Sequence, residues 1–204
     1  GPLTVTPVAE GLEEPWAIGF LPDGSFLVTE LEGRLKHFPA PGGEPVLVDG
    51  VPEVAVDGQG GLLDVMIPAD FAQSREVWLS YAVAQGAGSG TAVGKGRLSE
   101  DGTRLDGFAR LFEIPEGSSG GRHFGSRLVE ARDGTVFLTV GDRGTGPRGM
   151  EAQLPMRGEG KVIHLNRDGT PATTLEGALP GVWSMGHRNP QGAALDLEGR
   201  LLTV

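Results

Sequence analysis

At 204 residues, with 38% apolar residues and with 35 glycines and 15 prolines spread without a collagen-like period, the chain suits one all-β domain (1–204) of many short strands and turns. Its net charge of −10, with no cluster of arginines, argues against a nucleic-acid partner, and no run of eighteen apolar residues is present to insert into a membrane. The absence of cysteine removes disulfides, thiolate catalysis and cysteine metal sites together.

The predicted elements begin with three strands and tight turns: residues 16–20 (WAIGF), a turn at 21–25 (LPDGS), 26–30 (FLVTE) and 33–38 (GRLKHF). The same grammar returns at 63–67, 68–71 and 77–81, at a hairpin around Asp133-Gly134, and at 193–196, 198–199 and 201–204. The turns near residues 23, 70, 133 and 198 lie about 47 to 65 residues apart, near the propeller-blade periods of roughly 40 to 50 with loop insertions, and so predict a β-propeller. No stretch of eleven or more residues keeps an apolar i, i+3, i+4 spacing free of Gly and Pro, so helix is expected to be minor. Three Gly- and Ser-rich segments, 86–90, 116–121 and 144–149, read as loops over one propeller face.

One of these hairpins carries chemistry. In residues 121–144 (GRHFGSRLVEARDGTVFLTVGDRG), Leu128 and Val129 end one apolar run, Asp133-Gly134 is a turn pair, and Val136, Leu138 and Val140 alternate with Phe137 and Thr139. The hairpin leaves Arg122, His123 and Phe124 ahead of its first strand and Gly141, Asp142 and Arg143 past its second, at the same end, so His123 and Asp142 can meet. A carboxylate that holds an imidazole in one tautomer makes it a better base. The same two residues also read as a loop histidine near a turn aspartate.

Four polar clusters framed by glycine sit beside the repeated strands: 58–61 (GQGG), 122–125 (RHFG), 141–144 (GDRG) and 186–192 (GHRNPQG). Glycine lets a backbone approach a flat ligand, so recurrence at matching blade positions suggests one pocket at the propeller axis, although propeller turns need glycine in any case. There is no Gly-x-Ser-x-Gly elbow and no Gly-x-Gly-x-x-Gly leading into a helix, and His37, His123, His164 and His187 lack metal-ligand spacing.

Taken together, GQGGLLDV (58–65) with PADF (68–71), HFGSRLV (123–129) with DGTVFLTVGDRG (133–144), AQL followed by GKVIHLNRDGT (within 152–170) and VWSMGHRNPQGAALD (182–196) resemble the soluble PQQ-dependent aldose sugar dehydrogenases, relatives of soluble quinoprotein glucose dehydrogenase. The resemblance implies a six-bladed β-propeller of which this chain covers about the first four blades, as the N-terminal part of a longer protein. It implies oxidation of the anomeric hydroxyl of an aldose to a lactone, with pyrroloquinoline quinone reduced, calcium bound, an external electron acceptor and a periplasmic or secreted location. Carried onto this sequence, it makes His123 the general base, Asp142 its hydrogen-bonding neighbour, and Gln59, Arg188 and Asn189 contacts to the quinone, with Arg188 also stabilising charge that develops on a quinone oxygen. Lys161 is a further candidate. The calcium ligands are expected in an acidic segment past Val204, so no metal residue is assigned. A calcium-dependent lactonase on a similar propeller and a non-catalytic binding propeller are the alternatives.

Overall fold

The computed structural model describes residues 2–144 and 150–204. Its first sheet is an antiparallel meander of β1 (Pro15–Phe20), β2 (Phe26–Glu30), β3 (Arg34–Phe38) and β4 (Val46–Leu47). The second contains β5 (Leu62–Met66), β6 (Glu76–Gln85), β7 (Gly88–Leu98) and β8 (Leu105–Glu113), with a short helix, α1 (Phe71–Ser74), between β5 and β6. The third contains β9 (Gly125–Glu130), β10 (Val136–Val140), β11 (Lys161–Leu165) and β12 (Val182–Met185), with a 3₁₀ turn at Met150–Gln153. A hairpin of β13 (Ala193–Leu195) and β14 (Leu201–Thr203) starts a fourth. The first strands of successive sheets, β1, β5, β9 and β13, pack side by side, as the inner strands of propeller blades do. Three blades are complete and the fourth is a hairpin, so "about four blades" resolves into three and a half.

The strand period explains how the blades stack. Along β6, Val77, Leu79 and Tyr81 enter a core shared with Leu27, Leu35 and Val48 of blade 1, while Trp78 enters one shared with Leu128, Leu138, Val140 and Ile163 of blade 3. The second blade is thus buried on both faces, which favours continuous apolar runs over alternation with charge. On the far face of blade 3, Phe137 stacks on His164 at 4.1 Å and meets Trp183 edge-on at 5.2 Å.

The segment 86–90, read from sequence as a loop, is a correction. Gly86 and Ala87 form a two-residue turn, and residues from Gly88 onward belong to the eleven-residue β7. Glycine in this strand makes room for neighbours: a Cβ at Gly94 would sit 2.7 Å from the Phe108 ring, and one at Gly88 2.6 Å from the Ser118 backbone. Of the segment 144–149, only Gly144 lies among the described residues.

Buried hydroxyls tie the blades together. Thr29 of β2 accepts the Ala17 N–H (3.1 Å) and donates to the Leu63 carbonyl in blade 2 (2.5 Å). Ser80 of β6 accepts from Asp64 (3.0 Å) and donates to Ser126 in blade 3 (2.6 Å), and Thr139 of β10 accepts from Arg127 (2.9 Å) and donates to Pro190 ahead of β13 (2.7 Å). In each inner strand a bulge opposite the hydroxyl turns the extra N–H toward it.

Candidate active site

The four glycine-framed clusters come together at one end of the blades, ahead of the inner strands β5, β9 and β13 and just past β10. The close approach there requires glycine. A Cβ at Gly141 would lie 1.9 Å from the His123 carbonyl oxygen, and one at Gly58, where φ is +58°, would lie 2.1 Å from that of Gly121.

The hairpin places His123 and Asp142 in contact, Nδ1 to Oδ1 at 2.6 Å, with both side chains largely buried. The same carboxylate oxygen accepts the Gly144 N–H at 2.8 Å. An ionised carboxylate only accepts, so Nδ1 carries a proton, and in the neutral ring the lone pair is then on Nε2. His123 adopts φ +56°, a left-handed conformation uncommon outside glycine, as do Ser126 at +80° and Arg143 at +59°.

Gln59 grips the same segment twice: its N–H donates to the Gly121 carbonyl (2.8 Å) and its Oε1 accepts the His123 N–H (2.8 Å). Asn189 Oδ1 accepts the Gly125 N–H at 3.1 Å, and the Arg188 carbonyl accepts the Asp142 N–H at 2.7 Å. All five predicted residues therefore belong to one web spanning blades 2, 3 and 4. Both amide oxygens are engaged inward, and the side-chain NH₂ groups of Gln59 and Asn189 make no hydrogen bond among the described residues. The Arg188 side chain is exposed and makes no ion pair or hydrogen bond among the described residues. A cleft of about 350 Å³ is lined by Arg188, Asn189, Pro190 and Thr203 beside it.

Lys161 does not face this opening. It is fully buried, and its ammonium donates to the carbonyls of Glu151 (3.2 Å), Ala152 (3.0 Å) and Glu159 (2.5 Å), anchoring the 3₁₀ turn. Burial lowers its pKa to about 8, against the pull of the Glu159 carboxylate. His187 pairs with Ser184 Oγ at 2.9 Å, and burial together with the Lys161 cation holds its pKa below the usual value. Sequence reasoning passed over Arg143. It is fully buried, lies over the Phe124 ring at 3.3 Å, and has its pKa lowered by burial to about 10.

Chemically the web carries one base, His123, and three side-chain donor groups, the NH₂ groups of Gln59 and Asn189 and the guanidinium of Arg188. That set suits a ligand rich in carbonyl or carboxylate oxygens together with a hydroxyl that loses its proton. Among the described residues no three His, Asp or Glu side chains are grouped to hold a metal ion, and no helix is long and apolar enough to cross a membrane.

Known proteins share this arrangement of strands. A crystal structure titled glucose dehydrogenase superposes with a TM-score of 0.90 at 41% identity, over 98% of this chain and 60% of that one. The PQQ-bound form of aldose sugar dehydrogenase from Streptomyces coelicolor superposes with a TM-score of 0.85 at 28% identity, over 98% and 58%. Aldose sugar dehydrogenase YliI of Escherichia coli is 39% identical over 95% of this chain and 53% of its own length. The chain thus spans about half the length of the curated relatives it matches. Residues 12–204 match the Glucose / Sorbosone dehydrogenase family, and the chain belongs to that family.

Proposed function

We propose that this chain contributes the proton-accepting half of the active site of a quinoprotein that oxidises the anomeric hydroxyl of an aldose to the lactone. The observation that carries the reading is the His123–Asp142 pair, with Gln59 and Asn189 bonded to the backbone of residues 123 and 125 and the Arg188 carbonyl to that of Asp142. His123 Nε2 takes the C1 hydroxyl proton, and the Asp142 carboxylate stabilises the imidazolium that results while fixing the ring. Gln59, Arg188 and Asn189 would hold the oxygens of pyrroloquinoline quinone, with the Arg188 guanidinium as the fixed positive charge among them, an effect worth several kcal/mol in such sites. Bound there, the quinone supplies a two-electron acceptor for the C1 hydride.

The donor set fits the quinone. It does not supply calcium ligands, and no step is assigned to that ion. The six-bladed ring, the external electron acceptor and a periplasmic or secreted location belong to the same reading, supported by the family match and the blade architecture. A calcium-dependent lactonase fits less well, because Asp142 alone of the five residues Gln59, His123, Asp142, Arg188 and Asn189 is acidic.

The test loads the full-length apoprotein with pyrroloquinoline quinone and calcium and follows dye reduction with glucose and other aldoses, with lactone hydrolysis in parallel. Sugar-dependent dye reduction is expected. Lactone hydrolysis without it, or neither activity, would overturn the proposal.

A further inference from the structure

Arg143, like Lys161, is wholly buried and has no carboxylate at ion-pair distance among the described residues, but unlike Lys161 it bonds the segment that carries His123. Its NH1 donates to the Arg122 carbonyl at 2.7 Å; its NH2 lies 3.0 Å from Ser89 Oγ, 3.2 Å from the Ser89 carbonyl and 3.4 Å from that of Ser118; its Nε has no partner among the described residues. A guanidinium kept from water on carbonyls and a hydroxyl is an expensive way to join two blades, since a neutral side chain could span the same gap without the desolvation cost. The contacts themselves show what the charge and the planar fork do.

Three of them fall on consecutive residues. Arg143 bonds the carbonyl of Arg122 through its fork, reaches the carbonyl of His123 through its own N–H at 3.3 Å, and lays its plane on the ring of Phe124. The middle residue is the one held at φ +56°, whose imidazole must meet Asp142. The far end of the fork is seated on Ser89 and Ser118, which pair reciprocally through their backbones at 2.9 and 3.1 Å, so the anchor is blade 2. Strained conformations persist only where the surroundings over-determine them.

We propose that Arg143 is a positioning residue for the reaction above: its buried guanidinium clamps residues 122–124 against blade 2 and so holds the His123 imidazole on the Asp142 carboxylate. This rests on the reading of His123 as the base. Lysine cannot replace it, having neither a two-pronged planar head nor a face to stack.

The test uses the full-length protein with Arg143→Met, Arg143→Lys and Phe124→Leu. In the apoprotein, the downfield proton resonance of the His123 Nδ1–H bonded to Asp142 reports the clamp. It is expected to be sharp in the wild type and broadened or lost in Arg143→Met and Arg143→Lys, with Phe124→Leu between. In the quinone-loaded enzyme, kcat should fall about 10- to 100-fold in Arg143→Met with sugar KM within about threefold, as a misplaced base predicts. If Arg143→Met does not fold, the Lys and Leu variants carry the same comparison. An unchanged resonance in the folded variants, or a melting point that falls while resonance and kcat stay put, would make Arg143 a strut only and overturn the proposal. Should the wild type oxidise no sugar, the reading of the function fails, and the apoprotein resonance still decides the clamp.

Discussion

His123 Nδ1 lies 2.6 Å from Asp142 Oδ1 across 19 residues of chain, and the same oxygen receives the Gly144 N–H at 2.8 Å. That double use separates two substitutions. Asp142→Asn should keep an oxygen at this position, because Gly144 N–H demands an acceptor there, and so should preserve the tautomer while removing the charge. We expect kcat of the reconstituted full-length enzyme to fall about 10-fold in Asp142→Asn and about 10²- to 10⁴-fold in His123→Ala, the usual worth of a general base. Near-normal turnover in His123→Ala would remove it from the mechanism.

Arg188 separates activity from stability. Its exposed side chain has no partner among the described residues, so Arg188→Ala should leave the unfolding free energy within about 0.5 kcal/mol. Turnover should nonetheless drop about 10²- to 10³-fold, the scale for losing a donor at a developing oxyanion. Denaturant melts and steady-state kinetics on one preparation check both, and equal losses in stability and turnover would contradict this role.

What the sequence disclosed and what it hid follow from the same physics. The Asp133-Gly134 turn fixed a hairpin, and a hairpin of known register brings its two outer flanks together, so the His123–Asp142 contact was legible before any fold. The strand β7 was not, because its glycines serve the Phe108 ring and the Ser118 backbone that lie against them, and those neighbours are distant in sequence. Arg143 was hidden for a related reason. Its partners Ser89 and Ser118 come from another blade, and no local pattern marks a buried cation.

Thr139 is wholly buried, with both hydrogen bonds made to backbone groups of two blades. Thr139→Val keeps the shape and strands an N–H on Arg127 and a carbonyl on Pro190. A loss of about 1–3 kcal/mol in unfolding free energy is expected, the cost of leaving buried polar groups unpaired. A loss under about 0.5 kcal/mol would mean that the blades do not depend on this bond.

Lys161 gives a pH signature. Its folded value of about 8 lies below the 10.5 of an exposed lysine, so between those values the unfolded chain binds the extra proton. Stability from this site should therefore rise as pH climbs from about 8 to about 10.5, with the penalty for the buried charge fully present below 8. The difference in unfolding free energy between wild type and Lys161→Met should grow in favour of the wild type across that window. A flat difference would show that the amine titrates as if in water.

The three hydroxyl bridges share a property that no single one displays. The Leu63 carbonyl that receives the Thr29 proton and the Asp64 N–H that feeds Ser80 belong to one peptide group, and so do the Ser126 carbonyl and the Arg127 N–H. The chain of donors is consequently unbroken from Ala17 to Pro190, and every dipole in it points the same way around the axis. Each bond polarises the next, so the whole arc behaves as one oriented wire rather than three independent contacts. Losses from removing Thr29, Ser80 and Thr139 singly and in pairs should not add: once one link is cut, the remaining two are already weakened and the next deletion costs less.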